Sequence, residues 1–187
     1  NSNLSSNTAV GGFGGGIFNL GGNLTVSNST ISDNTSFNGG GILNTGSGTG
    51  TVSNSTFSGN SATTNGGGIF NDTTLTVTNS TLSGNSATSG GGIFNDNAGA
   101  INIANTIIAN SSSGGDFAGT GTVSLIGSAT AANNLVSQGS FSWATTKTSA
   151  EINLGTLQDN GGPTFTMAVV DGSAAVSTGN ASVSNVA

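Results

Sequence analysis

Few residues in this chain can move a proton or hold a metal. Seven carboxylates (Asp33, Asp72, Asp96, Asp116, Glu151, Asp159 and Asp171) and one cation, Lys147, are joined by no histidine, arginine or cysteine. Asp72 and Asp96 follow the same asparagine in two similar stretches, so stacking those stretches would set the acids roughly 5 Å apart, one strand spacing. Two carboxylates at that distance suit a calcium ion. The neighbouring glycine runs lack the G-G-x-G-x-D pattern of calcium-binding β-rolls, which favours solvated corner acids. Cutting a polysaccharide takes a carboxylate pair across a cleft, or a carboxylate with Arg, Lys or His beside it. No Asp or Glu pair occupies such a position, so the chain is expected to be no enzyme and to need no cofactor.

The polar residues with a pattern are uncharged. Asn7, Asn34, Asn60, Asn85 and Asn110 recur at intervals of 27, 26, 25 and 25 residues, and Asn28, Asn54, Asn79 and Asn105 at 26, 25 and 26. A third series, Asn19, Asn44, Asn71 and Asn95, closes a repeated Gly-Gly-x-Ile-(Phe/Leu)-Asn unit. Asn28, Asn54 and Asn79 each open an Asn-Ser-Thr glycosylation triplet. Their period is better explained by amides turned inward at corners, each bonding the amide above and below. Thr25/Ser27, Thr51/Ser53 and Thr76/Thr78 form two further columns. Regular T-x-T arrays order water and bind ice, but these mix Ser with Thr and dissolve into Asn102/Ala104, as a plain solvated face would.

Residues recurring at this period must be placed by stacked units, none able to bury its apolar side chains alone. Asn71 to Asn95 displays one unit. Leu75 and Val77 alternate with Thr76 and Thr78, the period of a strand with one wet face. A short step from Ser80 to Leu82 and the glycine run into Ile93 supply two more strands. Asn and Gly-Asn corners divide them, since asparagine tolerates the left-handed backbone of a sharp turn. The unit predicts one coil of an all-β, right-handed parallel β-helix, with three short strands in each coil of about 25 residues. In Gly-Ile-Phe-Asn, neighbouring residues face opposite ways. If Ile17, Ile42, Ile69 and Ile93 line the bore, then Phe18, Leu43, Phe70 and Phe94 stand outside as an apolar column. Either the C-terminal segment from Phe141 to Val176 covers that column, or a neighbouring subunit does.

Composition agrees with a thin solenoid. Of 187 residues, 33 are glycine, 4% are charged and 33% are hydrophobic, enough for a narrow bore but not for a bulky two-layer core. A formal charge of −6 with one cation makes nucleic acid and anionic membranes poor partners. No apolar run reaches membrane-spanning length, so no membrane insertion is expected. Coils are expected over residues 1–128, an irregular insertion or lateral loop over 129–153, and a closing segment over 154–187. Ser2 to Ala9 aligns with Ser80 to Ala87, so the chain starts inside a coil. Either it is a piece of a longer protein, or its open edge pairs with another copy.

The closing Leu154-G-T-L-Q-D-N-G-G-P-T-F-T-M-A-V-V-D-G-S-A-A-V-S-T-Gly179 resembles the ending of the choice-of-anchor Q family, as does the earlier Gly114-G-D-F-A-G-T-G-T-Val123. The coils are similar to the Gly-Gly-x-Ile and Phe-x-x-Asn repeats of chlamydial polymorphic outer membrane proteins, with Phe57-Ser58-Gly59-Asn60 a literal match. The resemblance implies a bacterial surface or secreted β-helix, with no single activity attached to it. After Gly179, N-A-S-V-S-N-V-A departs from the family in containing no recognisable anchor or sorting signal. The resulting expectation is a non-enzymatic extracellular structural protein. It would self-assemble into a filament, sheath or layer through end-to-end stacking and lateral apolar contacts. The alternative is an adhesin or glycan-binding passenger, with ice binding and polysaccharide chemistry behind it.

Overall fold

The computed structural model describes residues 1–127 and 130–178. The expected boundary at 128/129 and the tail beyond Thr178 lie outside the described residues. Three parallel sheets run the length of the molecule. Sheet 1 stacks Asn3–Ser5, Thr30–Ser32, Thr56–Ser58, Thr81–Ser83, Ile107–Ala109, Leu135–Val136 and Thr145–Thr146. Sheet 2 stacks Ile17–Leu20, Ile42–Thr45, Ile69–Asn71, Ile93–Asn95 and Phe117–Gly119. Sheet 3 stacks Asn23–Ser27, Thr49–Ser53, Thr74–Thr78, Ala100–Ala104 and Thr122–Leu125. Each coil visits sheets 2, 3 and 1 in turn, and like pairs with like: Ile17 with Ile42, Ile42 with Ile69, Ile69 with Ile93. This is the parallel β-helix that the repeat predicts.

The bore is dry and aliphatic. Ile31, Phe57, Leu82 and Ile108 enter it from sheet 1, Ile42, Ile69 and Ile93 from sheet 2, and Val52, Val77 and Ile103 from sheet 3, all buried. Each such side chain contributes about 1.5–3 kcal/mol of burial, shared with the coils on either side. The glycine run ahead of sheet 2 is dictated by that closeness. A Cβ on Gly68 would lie 2.5 Å from the Gly92 carbonyl oxygen, so no larger residue fits where neighbouring coils touch backbone to backbone.

The segment expected as a lateral loop instead continues the stack. Leu135–Val136 pairs with Ile107–Ile108, and Thr145–Thr146 pairs with Leu135–Val136. Phe141 and Trp143 fold over this end against Phe117, with ring centroids 4.9–5.5 Å apart. Trp143 is buried there and plugs the bore. Its position outside the repeat hid that role, because an aromatic in an aperiodic stretch reads as loop.

A helical turn, Ser149–Ile152, leads into an antiparallel hairpin of Leu154–Gln158 and Thr166–Val169. Ile152 is packed with Ala109 and Leu135, and the Thr30 hydroxyl donates to the Phe165 carbonyl. The hairpin therefore lies along the outer face of sheet 1. It does not cover the Phe18, Leu43, Phe70 and Phe94 column, which belongs to sheet 2.

Candidate functional site

Two of the three asparagine series are buried amide ladders. Asn7 Nδ2 donates to Asn34 Oδ1 at 2.8 Å, Asn34 to Asn60 at 2.9 Å, and Asn60 to Asn85 at 3.0 Å. Each acceptor oxygen also takes a backbone N–H, as Asn60 Oδ1 does from Asn34 at 3.1 Å. The second amide proton caps a strand carbonyl, as Asn60 Nδ2 does Ile31 O at 2.9 Å. In sheet 2, Asn19, Asn44, Asn71 and Asn95 are linked in the same way at 2.7–2.9 Å. Asn34, Asn60, Asn85, Asn44, Asn71 and Asn95 are all fully buried. A buried amide is tolerated only when its donors and acceptor are matched, and here they are.

The remaining series departs from the expected ladder. Asn28, Asn54, Asn79 and Asn105 occupy the corner between sheets 3 and 1 with φ of 48–51°. That left-handed conformation turns the side chain outward. One amide–amide bond survives in the column, Asn105 Nδ2 to Asn79 Oδ1 at 3.1 Å. The inward work passes to the next residue. Ser29, Ser55 and Ser80 accept backbone N–H bonds from Ser2, Ser29 and Ser55, each at 3.2 Å, and their hydroxyls donate back to the preceding strand. The Asn-Ser-Thr triplets contain this serine ladder, one residue after the corner amide.

Asn110 also leaves its expected series. It pairs with Gly84, not Asn85, in the left-handed column that follows sheet 1, and donates to Ser83 Oγ at 3.1 Å. Asp116 takes over the ladder's acceptor role. Its Oδ1 accepts from Ser111 N at 3.2 Å, and its Oδ2 from Ser137 N, Ser137 Oγ and Gln138 N at 2.6–2.8 Å. This buried carboxylate ties the last regular coil to the end cap.

Ile42, Ile69 and Ile93 line the bore, and Ile17 lies partly buried at its first coil. The opposite column is largely satisfied within the chain: Leu43 is 4% and Phe70 9% exposed, and Phe70 stacks on Phe94 at 5.5 Å. Phe18 alone stands well out, at 47%, in contact with Phe13, which also meets Phe37. Asp72 and Asp96 follow the paired Asn71 and Asn95 in neighbouring coils, but among the described residues no group of three or more acids could hold a metal ion. Asp72 accepts from Thr45 Oγ1 at 2.8 Å and Asp96 from Asn97 N at 2.8 Å. Lys147 is paired with Glu151 at 3.1 Å.

A groove of about 910 Å³ lies between the outer face of sheet 1 and the hairpin. Asn28, Asn54, Asn79 and Asn105 line one side, and the hairpin tip from Asn160 to Thr164 faces them. Thr56, Thr81, Ile107 and Leu135 line it from sheet 1. Sequence reasoning supplied the asparagine column but could not supply its opposite wall, which depends on where the aperiodic hairpin docks.

Residues 54–72 match the model of the Chlamydia polymorphic membrane protein (Chlamydia_PMP) repeat. The match runs from corner Asn54 through Thr56–Ser58 and ladder residue Asn60 to the sheet 2 strand Ile69–Asn71, most of one coil. The chain is thus similar to that repeat over one coil of the stack. No curated protein and no solved structure matches the chain. Among the described residues, no helix is long and apolar enough to cross a membrane.

Proposed function

We propose that this chain is a rigid, non-enzymatic β-helix displayed outside a bacterial cell, acting through shape and association. The observation that carries the reading is the use to which its polar side chains are put. Amides, hydroxyls and the buried Asp116 are spent on joining one coil to the next. The matched repeat takes its name from membrane proteins, and the closing segment resembles the choice-of-anchor Q ending; both support a place at the cell envelope.

Copies self-associate in this reading, through lateral apolar contacts and stacked coils. Phe13, Phe18 and Phe37 form an exposed cluster with Val10 and Leu20 close by in the chain. Water-exposed aromatics in contact with one another favour a protein partner. Sedimentation velocity over a hundredfold concentration range tests this. Growing species that revert to monomer in F18S/F37S are expected, and an unchanging monomer would refute self-association.

The second reading, a binding passenger on the cell surface, is favoured by the groove under the hairpin. Adhesion of the labelled chain to cells or matrix tests that reading.

A further inference from the structure

The geometry points to a neutral, linear polysaccharide as the occupant of the groove between sheet 1 and the C-terminal hairpin, an inference that rests on the binding reading. The outward asparagines repeat once per coil, so they are about 4.8 Å apart along the axis. A hexose unit in an extended polysaccharide advances by a similar distance. A ligand that repeats with the coils meets the same amide at each step. Asn28 and Asn54 are exposed and make no side-chain hydrogen bond among the described residues. The column therefore holds donors and acceptors that the protein leaves unused, suited to sugar hydroxyls.

Charge narrows the class further. No Asp, Glu, Lys or Arg side chain lines the groove. A phosphate, sulfate or uronate would find no cationic side chain and one cation, the Asn1 α-ammonium, which already donates to Ser27 O, and a cationic ligand would find no carboxylate. Ile107, Leu135, Pro163 and Met167 supply apolar surface for the C–H faces of a sugar ring. A peptide strand fits poorly on the sheet 1 wall, because docking by strand addition needs a free sheet edge. The wall offered by sheet 1 is a face whose backbone groups are already paired between coils.

The test uses the 187-residue chain and N54G/N79G. Glycine holds the left-handed corner while removing the amide, and a thermal melt verifies that the variant folds. Titration calorimetry with cello-, laminari- and manno-oligosaccharides of two to six units is paired with oligogalacturonate as the acidic comparison. The inference expects at least one neutral series to bind, with affinity rising over the length of the series. It also expects little dependence on salt and at least tenfold weakening in N54G/N79G. Preference for the acidic oligomer, undiminished binding by the folded variant, or no binding of any neutral series would overturn it. If adhesion to cells persists while every neutral series is inert, the ligand class alone is wrong; if adhesion is also absent, the binding reading falls with it.

Discussion

Asparagine does two opposite jobs in this molecule, and backbone conformation decides which. Where the residue is extended, its amide turns inward and joins a fully bonded ladder, as Asn60 does between Asn34 and Asn85. Where φ is near 50°, as at Asn54, the same side chain faces outward into the groove. The two positions should respond differently to substitution. N60A strips the partner from Asn34 N and from the Ile31 carbonyl, and is expected to cost about 3 kcal/mol, the penalty for stranding buried polar groups. N54G keeps its corner and should stay within about 0.5 kcal/mol of the parent. Denaturant unfolding of both variants checks the contrast, and equal losses would contradict it.

Elements that repeat were legible in the sequence, and those that occur once were not. Leu75 and Val77 alternating with threonine, and isoleucine after each glycine run, gave sheets 2 and 3 with their inward faces. Spacing alone could not tell the inward Asn34 column from the outward Asn28 column, because both recur once per coil. Nor could it see that Asn110 sits one place out of register, leaving Ser111 beside Asn85 with its backbone N–H donated to Asp116. The end cap and hairpin occur once, so no period revealed where they dock.

The helical turn at Ser149–Ile152 shows local chemistry surviving without a repeat. Its Thr148/Glu151 capping box, a T-x-x-E spacing, is formed in the structure. The Thr148 backbone N–H, then Lys147 and the Thr148 hydroxyl, hold the Glu151 carboxyl at about 2, below its usual 4.5. A lowered carboxylate pKa stabilises the folded cap above about pH 4.5. That contribution is lost as pH falls through about 2. Carbon-detected NMR titration should find Glu151 titrating well below the usual glutamate value of 4.5, and T148A should return it toward that value. A midpoint near 4.5 in the parent chain would contradict the capping geometry.

The whole molecule is a stack whose cohesion lies between coils more than within them. Each strand bonds to the same strand one coil away, and the amide, serine and apolar columns all follow that axis. Such an object is stiff along its length and exposes repeating surface. Those properties suit the displayed scaffold proposed above. Its two asparagine populations follow from the one stacking geometry and can be read separately.

Hydrogen exchange of the side-chain amides, followed by NMR after transfer to deuterated buffer, tests that geometry most directly. The account predicts slow exchange at Asn34, Asn60, Asn85, Asn44, Asn71 and Asn95, with Asn28 and Asn54 exchanging within the dead time. Uniform exchange across both groups would contradict the stacked coil and the groove built on it.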